Sequence, residues 1–275
     1  MKTAIIGANG QLGSAISDYF SQNHVVIKLT HEDIEISDID NVRDVLKSSK
    51  VELVINTAAY HNVPKCEENP AVAYSVNAVG SLNLARIIHE LDIPLLHYST
   101  DYVFDGSKLS PYHEDDETHP LNVYAESKLS GENLIRNYCQ RYFIIRVSGL
   151  YGRTVCRAKG GNFITTMMKA AREKPEVRVV TDEILTPTPV TEIAMNSFYL
   201  AETDAYGLYH MTSQGECSWY EFAEVIFDEL GLSTPLKEAL TDDFPQAVNR
   251  PTYSVLENRN LKSIDRDKMS PWKTS

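Results

Sequence analysis

An α/β fold, a doubly wound parallel sheet with a smaller lobe after it, is what this sequence predicts, on three observations. A short apolar run at residues 4–6 leads directly into the turn Gly7-Ala8-Asn9-Gly10-Gln11-Leu12-Gly13 and then a helical pattern. Apolar runs suited to buried strands then alternate with helical patterns as far as residue 147, the order that builds right-handed crossovers. Past Gly149 the texture changes to shorter elements broken by Gly and Pro.

The elements follow in order. Ala4-Ile5-Ile6 is apolar at every position, as a strand covered on both faces must be. The glycine turn has the spacing Gly-x-x-Gly-x-x-Gly, and Ile16, Tyr19 and Phe20 mark one face of the helix after it. Glycine lets backbone turn tightly and approach a pyrophosphate, while open amides and the positive dipole end at the helix start favour the anion. Residues 7–13, Asn9 included, therefore form a candidate cofactor cradle of the Rossmann-like kind. Further strands are expected at residues 25–29, 53–55, 95–97 and 143–147. Helices are expected at residues 37–47, where a capping residue precedes Val42, Val45 and Leu46, at residues 70–91 opened by Pro70, and at residues 124–138.

The strand at residues 95–97 ends in Ser99-Thr100-Asp101-Tyr102, at the same carboxyl edge of the sheet as the glycine turn. The next helix begins Tyr124-Ala-Glu-Ser-Lys128, a phenol and an ammonium four residues apart on one face. A phenol titrates at about 10 in water, and a nearby ammonium favours its ionised form. Thr100, brought alongside, would hold the same substrate oxygen. By itself Tyr-x-x-x-Lys also fits a surface helix with one outward cation; the glycine turn and the strand-end hydroxyls lift it to a candidate acid.

Residues 1–149 mainly form the nucleotide domain on this reading, and residues 150–275 mainly a smaller lobe closing over the crevice. The lobe has Gly160-Gly161, Thr186-Pro187-Thr188-Pro189 and helical patterns at residues 163–173, 191–201 and 218–230. Arg153, Arg157 and Lys159 make a local basic patch suited to a phosphorylated substrate, and Arg250-Pro251 before Tyr253 offers a further clamp. Pro271-Trp272-Lys273-Thr274-Ser275 reads as the start of a helix truncated at the carboxyl end.

A net charge of -12 argues against nucleic acid and anionic membranes as partners. The first residues run straight into a strand with no signal peptide, and no apolar stretch approaches the roughly 18 residues of a spanning helix, so a cytoplasmic location is expected. Cys66, Cys139, Cys156 and Cys217 include no Cys-x-x-Cys pair, and the 8 histidines no His-x-x-x-His, so no metal is assigned.

Taken in order, the glycine turn, Asn56-Thr57-Ala58-Ala59-Tyr60, Asn77-Ala78, Ser99-Thr100-Asp101-Tyr102-Val103-Phe104-Asp105-Gly106, Pro120-Leu121-Asn122-Val123-Tyr124, Lys128 and Gly161-Asn162-Phe163 resemble the extended short-chain dehydrogenase/reductases, and within them the dTDP-4-dehydrorhamnose reductase family. The likeness runs to Arg250-Pro251, nearly the whole chain. It implies that Gly10, Gln11 and Leu12 touch the pyrophosphate of NADH or NADPH, that Ala58, Ala59 and Tyr60 line the cofactor's path, and that Tyr98 lies on its nicotinamide side. It implies Thr100, Tyr124 and Lys128 as catalytic residues, with Lys128 holding the nicotinamide ribose and lowering the Tyr124 pKa. Thr100, Asp101, Tyr102, Gly149, Asn162 and Arg250 become the candidate contacts of a nucleotide-sugar substrate. The implied reaction is reduction of the 4-keto group of a nucleotide-linked 6-deoxyhexulose, in that family dTDP-4-dehydrorhamnose to dTDP-rhamnose.

Three positions depart from the family pattern. Gly149 stands where a tryptophan often packs on the deoxysugar, His61 where a threonine is frequent, and Ala15 where some members carry a glutamate of a magnesium-bridged dimer. No metal is therefore carried over, and a homodimer is left open. About 20 residues past a glycine turn a carboxylate favours NADH and an arginine NADPH; Glu32, Asp33 and Glu35, with no arginine, lean toward NADH. Two other readings share the fold: a non-catalytic dinucleotide-binding regulatory subunit, which does not require Thr100, Tyr124 and Lys128 together, and a nucleotide-sugar epimerase, which retains NAD through turnover.

Overall fold

The computed structural model describes residues 1–154, 160–244 and 248–275. The first half runs β1 (Lys2–Ile6), α1 (Gln11–Phe20), β2 (Val25–Leu29), α2 (Ile39–Ser49), β3 (Leu53–Asn56), α3 (Val63–Glu68), α4 (Pro70–Tyr74), a π turn (Ser75–Val79), α5 (Gly80–Leu91), β4 (Leu95–Thr100), α6 (Val123–Tyr138) and β5 (Tyr142–Val147). There follow β6 (Leu150–Tyr151), α7 (Phe163–Glu173), β7 (Val177–Val180), β8 (Ile184–Leu185), β9 (Thr188–Pro189), α8 (Val190–Ala201), β10 (Gly207–His210), β11 (Cys217–Ser218), α9 (Trp219–Leu230), β12 (Leu236–Ala239) and α10 (Arg259–Ser263).

Six parallel strands in the order β10-β5-β4-β3-β1-β2 form the central sheet. The strand order reverses between β1 and β3, so the turns after these two strands diverge and leave a crevice at their carboxyl ends. The expected doubly wound α/β sheet is thus present. One face is covered by α1 and α8 over Ile5, Ile55, Leu96 and Ile145, the other by α2, α5 and α6 over Ala4, Val54, Leu95 and Ile144. These are alternate residues of the same strands, the period-2 arrangement of a sheet with two dry faces.

The chain returns to this sheet after Gly149: β10 pairs with β5, α8 lies on α1, and α10 packs on β10. A second core, around Met167, Val177, Phe222, Phe227 and Trp272, holds α7, α9, β7 and β12 together. Trp272 does not start a helix; its ring packs edge-on against Phe222 and its indole N–H donates to the Glu216 carbonyl. Capping side chains set the helix starts, with Asp38 accepting from Asp40 N and Asn41 N, Asn122 from Ala125 N, and Ser218 closing a capping box with Glu221.

Two expectations are corrected here. The run from Pro70 to Leu91 is 22 helical residues, long and apolar enough by length and composition to cross a membrane, although no such stretch was expected. Its small apolar residues serve burial instead: 56% of the qualifying window is inside the protein, and Ile87 and Ile88 belong to the sheet's core. That run is also not one regular helix, because a π turn interrupts it and brings Asn77 toward the turn after β3.

Helix α6 is fixed to the sheet by a buried ion pair. Arg146 of β5 donates from Nε and Nη2 to the two oxygens of Glu132 at 3.0 and 2.8 Å, and both side chains are almost wholly excluded from solvent. Ser99 Oγ donates to the same carboxylate at 2.5 Å, and the guanidinium lies over the Phe104 ring. Removing one member of such a pair leaves a buried charge uncompensated, so Glu132→Ala is expected to lower the unfolding free energy by about 3–5 kcal/mol. Denaturant titration followed by circular dichroism measures this; a loss below about 1 kcal/mol would show that the pair does not anchor the helix.

Candidate functional site

The site is built where the turns after β1, β3 and β4 meet the start of α6. Gly7 has φ +77°, a left-handed value that favours glycine, and a Cβ on Gly13 would stand 2.2 Å from the Gly7 carbonyl oxygen. The turn and first helical residues are therefore packed against each other with no room for side chains. Gly10 caps α1 with no side-chain hydrogen bond, and no acidic residue occupies the first turn. This close, bare backbone fits a dinucleotide pyrophosphate, which the Gln11, Leu12 and Gly13 amides at the helix start would bind. Asn9 lies in the same turn.

The turn after β3 is held just as closely. Asn77, from the π turn, accepts from Tyr60 N at 2.8 Å and donates to Tyr60 O and to Ser127 Oγ at 2.9 Å each. Asn56 Oδ1 accepts from Ala58 N at 3.1 Å. Ala58, Ala59 and Tyr60 are thereby fixed at the crevice edge, with His61 Nδ1 contacting Ala59 O at 3.2 Å. Beyond β2, Glu35 receives Ser37 N and Ser37 Oγ and pairs with His31 at 3.3 Å. Burial opposes the charge of Glu35, but the Ser37 donors and His31 outweigh it and hold the carboxyl below its ordinary range.

The hydroxyls converge at the carboxyl end of β4. The Tyr102 ring meets Tyr124 edge-on at 6.2 Å between centroids, and Thr100 lies near enough to the Tyr124 phenol to pull its pKa down. Thr100 Oγ1 also donates to Asp101 Oδ1 and accepts from Tyr102 N. Asp101 is buried, and burial raises its pKa against hydrogen bonds from Ser254, Ser148 and Thr100. Arg250 lies close enough to the Tyr102 hydroxyl for its charge to favour the ionised phenol, against the larger effect of burial.

Burial raises the pKa of Tyr124, and the Thr100 hydrogen bond only partly offsets it. The phenol thus keeps its proton at neutral pH, the form a proton donor needs. Lys128, expected to lower that pKa, is instead turned onto the strand: its Nζ donates to Tyr98 O at 2.6 Å and lies 3.2 Å from His97 Nε2. Burial pulls Lys128 itself down to about 8, with Glu132 opposing.

Several expected residues sit differently from the sequence reading. The Tyr98 phenol does not face the crevice; strand alternation turns it into the core beside Leu12 and Val147, where it meets Ser197 Oγ at 2.6 Å, and burial raises its pKa. Asn162 caps α7 through Thr165 N, and its Nδ2 donates to Gly152 O and to Gln11 Oε1, so it ties the lobe to the glycine turn. Gly149 has φ +58°, and a Cβ there would lie 2.5 Å from Thr186 O, which excludes a tryptophan in this backbone. Of the basic patch, Arg153 is exposed, whereas Arg157 and Lys159 lie outside the described residues, as does Cys156. Cys66, Cys139 and Cys217 are free and buried. Sequence reasoning missed Glu132, Arg146, Ser148 and His97, whose signal was only that charged or polar residues interrupt apolar strands and a helix face.

The model for the RmlD substrate binding domain matches residues 1–275. The chain is 37% identical over 262 residues to the spore coat polysaccharide biosynthesis protein SpsK of Bacillus subtilis (strain 168), covering 95% of this chain and 90% of that protein. It is 36% identical over 282 residues to the dTDP-4-dehydrorhamnose reductase of Aggregatibacter actinomycetemcomitans, covering 98% and 94%. The crystal structure of dTDP-4-dehydrorhamnose reductase from Bacillus anthracis str. Ames in complex with NADP superposes with a TM-score of 0.95 at 32% identity, over 99% of this chain and 96% of that one.

The glycine turn provides a test of the cradle that does not depend on turnover. Gly13→Ala forces its methyl against the Gly7 carbonyl and is expected to weaken NAD(P)H binding at least tenfold, about 1.4 kcal/mol, with the fold retained by circular dichroism. Calorimetric titration reads it, and an unchanged dissociation constant in the folded variant would remove the turn from the cofactor site.

Proposed function

The chain belongs to the RmlD substrate binding domain family, that of the dTDP-4-dehydrorhamnose reductases, and from that membership we propose that Thr100, Tyr124 and Lys128 carry its reaction. The enzyme is an NAD(P)H-dependent nucleotide-sugar reductase that converts dTDP-4-dehydrorhamnose to dTDP-rhamnose. The observation that carries the site assignment is the convergence of Thr100, Asp101, Tyr102 and Tyr124 at the carboxyl end of β4, with Lys128 one helical turn beyond Tyr124.

Reduced nicotinamide, when bound, supplies the hydride. Everything else is the work of this chain. Thr100 and Tyr124 together present two hydroxyls to one carbonyl oxygen, and as that oxygen becomes an alkoxide Tyr124 passes its proton to it. A phenol raised by burial keeps its proton until the alkoxide forms beside it, so premature ionisation is suppressed. Thr100 Oγ1 donates to Asp101 Oδ1 before substrate enters, and its single proton must turn from that carboxylate to the carbonyl oxygen to join Tyr124 there. Arg250 and Tyr102 form the lobe side of the pocket, where a guanidinium suits the diphosphate of a nucleotide sugar. Lys128, anchored on the Tyr98 carbonyl, lies one turn beyond Tyr124, and its nearness to the phenol supports a role at the cofactor ribose.

The retained Thr100, Tyr124 and Lys128 set supports an enzyme over a dinucleotide-binding regulatory subunit. Tyr124→Phe is expected to keep cofactor affinity within about twofold while turnover of dTDP-4-dehydrorhamnose, followed by cofactor absorbance, falls about 10²–10⁴-fold. Near-normal turnover in that variant would sink the assignment of the acid. Glu32, Asp33 and Glu35 after β2, with no arginine beside them, support preferential use of NADH. Initial rates with the two reduced cofactors measure this, and a strong preference for NADPH would overturn it.

A further inference from the structure

His97 lies in the middle of β4, fully buried, and makes no contact with the hydroxyl group of residues around Thr100, yet both its ring nitrogens are engaged. Nδ1 lies 3.0 Å from Asn56 Nδ2 and Nε2 lies 3.2 Å from Lys128 Nζ. The proton inventory of these contacts is restrictive. Asn56 Oδ1 accepts the Ala58 N–H at 3.1 Å, which points the Asn56 NH2 at His97 and makes Nδ1 an acceptor. A neutral imidazole has one proton, so it sits on Nε2, facing Lys128. Lys128 Nζ already donates to Tyr98 O at 2.6 Å, and an ammonium has no lone pair with which to receive a second N–H. This arrangement is complete only when Lys128 is a neutral amine.

We propose that His97 is a positioning residue that, with Asn56, sets the protonation of Lys128 and transmits it to the Ala58 amide at the cofactor crevice. With Lys128 neutral, Asn56 holds Ala58 N–H, His97 Nδ1 accepts from Asn56, and Nε2–H donates to Nζ. Uptake of one proton reverses the chain: the Nε2–H bond breaks as a new Nζ–H bond forms, and the incoming proton binds Nδ1. Nδ1–H then faces the Asn56 NH2, so that amide must rotate to accept from it, and Ala58 N–H loses its acceptor. The two ends of this relay lie on α6 and on the turn after β3, two of the elements that border the crevice.

The surroundings allow such a switch. Burial lowers the pKa of His97 well below its ordinary value, with Lys128 adding to the effect, which excludes a stable imidazolium. Lys128, at about 8, titrates near neutrality. The groups around it are Tyr124 and Glu132 on its own helix, His97 on β4, Arg146 on β5 paired with Glu132, Asp101 acting on Tyr124, and Cys66 on α3 beside Tyr124, its thiol pushed up to about 11 by burial and Glu67. Glu132 is bonded to Arg146, Arg136 and Ser99 and held below its ordinary range, so its charge is constant over the range in which Lys128 titrates.

The inference rests on Lys128 belonging to the site but not on any substrate, and its test needs none. In uniformly labelled, cofactor-free protein, long-range ¹H–¹⁵N spectra report the His97 tautomer while pH is varied from about 6 to about 10. The expected result is Nε2–H at high pH, passing to Nδ1–H on acidification, with the Ala58 amide and the Lys128 Cε resonances moving at the same midpoint. A tautomer that stays constant through the Lys128 titration would overturn the proposal, as would an imidazolium at neutral pH. His97→Gln keeps a hydrogen-bonding side chain but cannot exchange its proton, so the Ala58 amide should cease to follow Lys128; if it still follows, the relay is wrong. Asn56→Asp accepts from both neighbours and should lock Nδ1–H at every pH and raise the Lys128 midpoint by about one unit or more. A dead Tyr124 assignment would leave these spectra unchanged, so the two readings fail separately.

Discussion

The buried pair between Glu132 and Arg146 is the constraint on which the rest of the site depends. Tyr124 and Lys128 lie on the same helix as Glu132, two turns and one turn before it respectively, and Thr100 follows Ser99, which bonds the same carboxylate. One buried carboxylate thus ties together the helix that bears the phenol, the strand that bears the hydroxyl and the neighbouring strand β5. Two charges taken out of water at this depth cost several kcal/mol each before they attract, and only a two-point fit with further hydrogen bonds offsets that cost. The geometry that satisfies it is narrow, and it is the same geometry that places Thr100 against Tyr124. Precision at the active hydroxyls is a by-product of the requirement not to strand a charge in the core.

The sequence shows the sheet well because the sheet is dry on both faces. Strands such as Leu53–Asn56 and Tyr142–Val147 are buried and apolar almost throughout, and helix ends such as Asp38 and Ser218 carry side chains that cap them. The sixth strand was hidden for the opposite reason. Gly207-Leu208-Tyr209-His210 is a short edge strand with one aliphatic residue, and its place in the sheet is decided by β5 and α10 rather than by its own pattern. The π turn at Ser75–Val79 was equally hidden, since its apolar spacing differs from that of an α-helix by one residue in a stretch apolar on nearly every side.

Within the site, residue types were legible and their directions were not. Thr100 and Tyr124 meet as the strand-end run and the helix motif suggested. Tyr98, expected on the nicotinamide side, has its phenol in the core, and the neighbouring His97 imidazole stands beside Lys128. A one-residue step along β4 makes that difference, because successive side chains leave a strand on opposite faces. Asn162 illustrates the same limit; a side chain whose amide caps a helix and bonds Gly152 and Gln11 has little left for a sugar.

Gly149 carries this logic to the substrate. The family often places a tryptophan there, but the left-handed backbone and the Thr186 carbonyl 2.5 Å from any Cβ mean that the glycine is not a mere truncation of that side chain. The left-handed turn is held by Thr188 N donating to Gly149 O and by the short β6 to β9 pairing that follows. An apolar wall lost in this way cannot be restored by substituting the aromatic residue alone, since the backbone would first have to leave the left-handed region. Tyr102 and Tyr124 are rings already in place beside Thr100, edge-on at 6.2 Å between centroids. On the proposed assignment Tyr124 also delivers the proton, so a change to its ring made to alter sugar packing would disturb the acid as well.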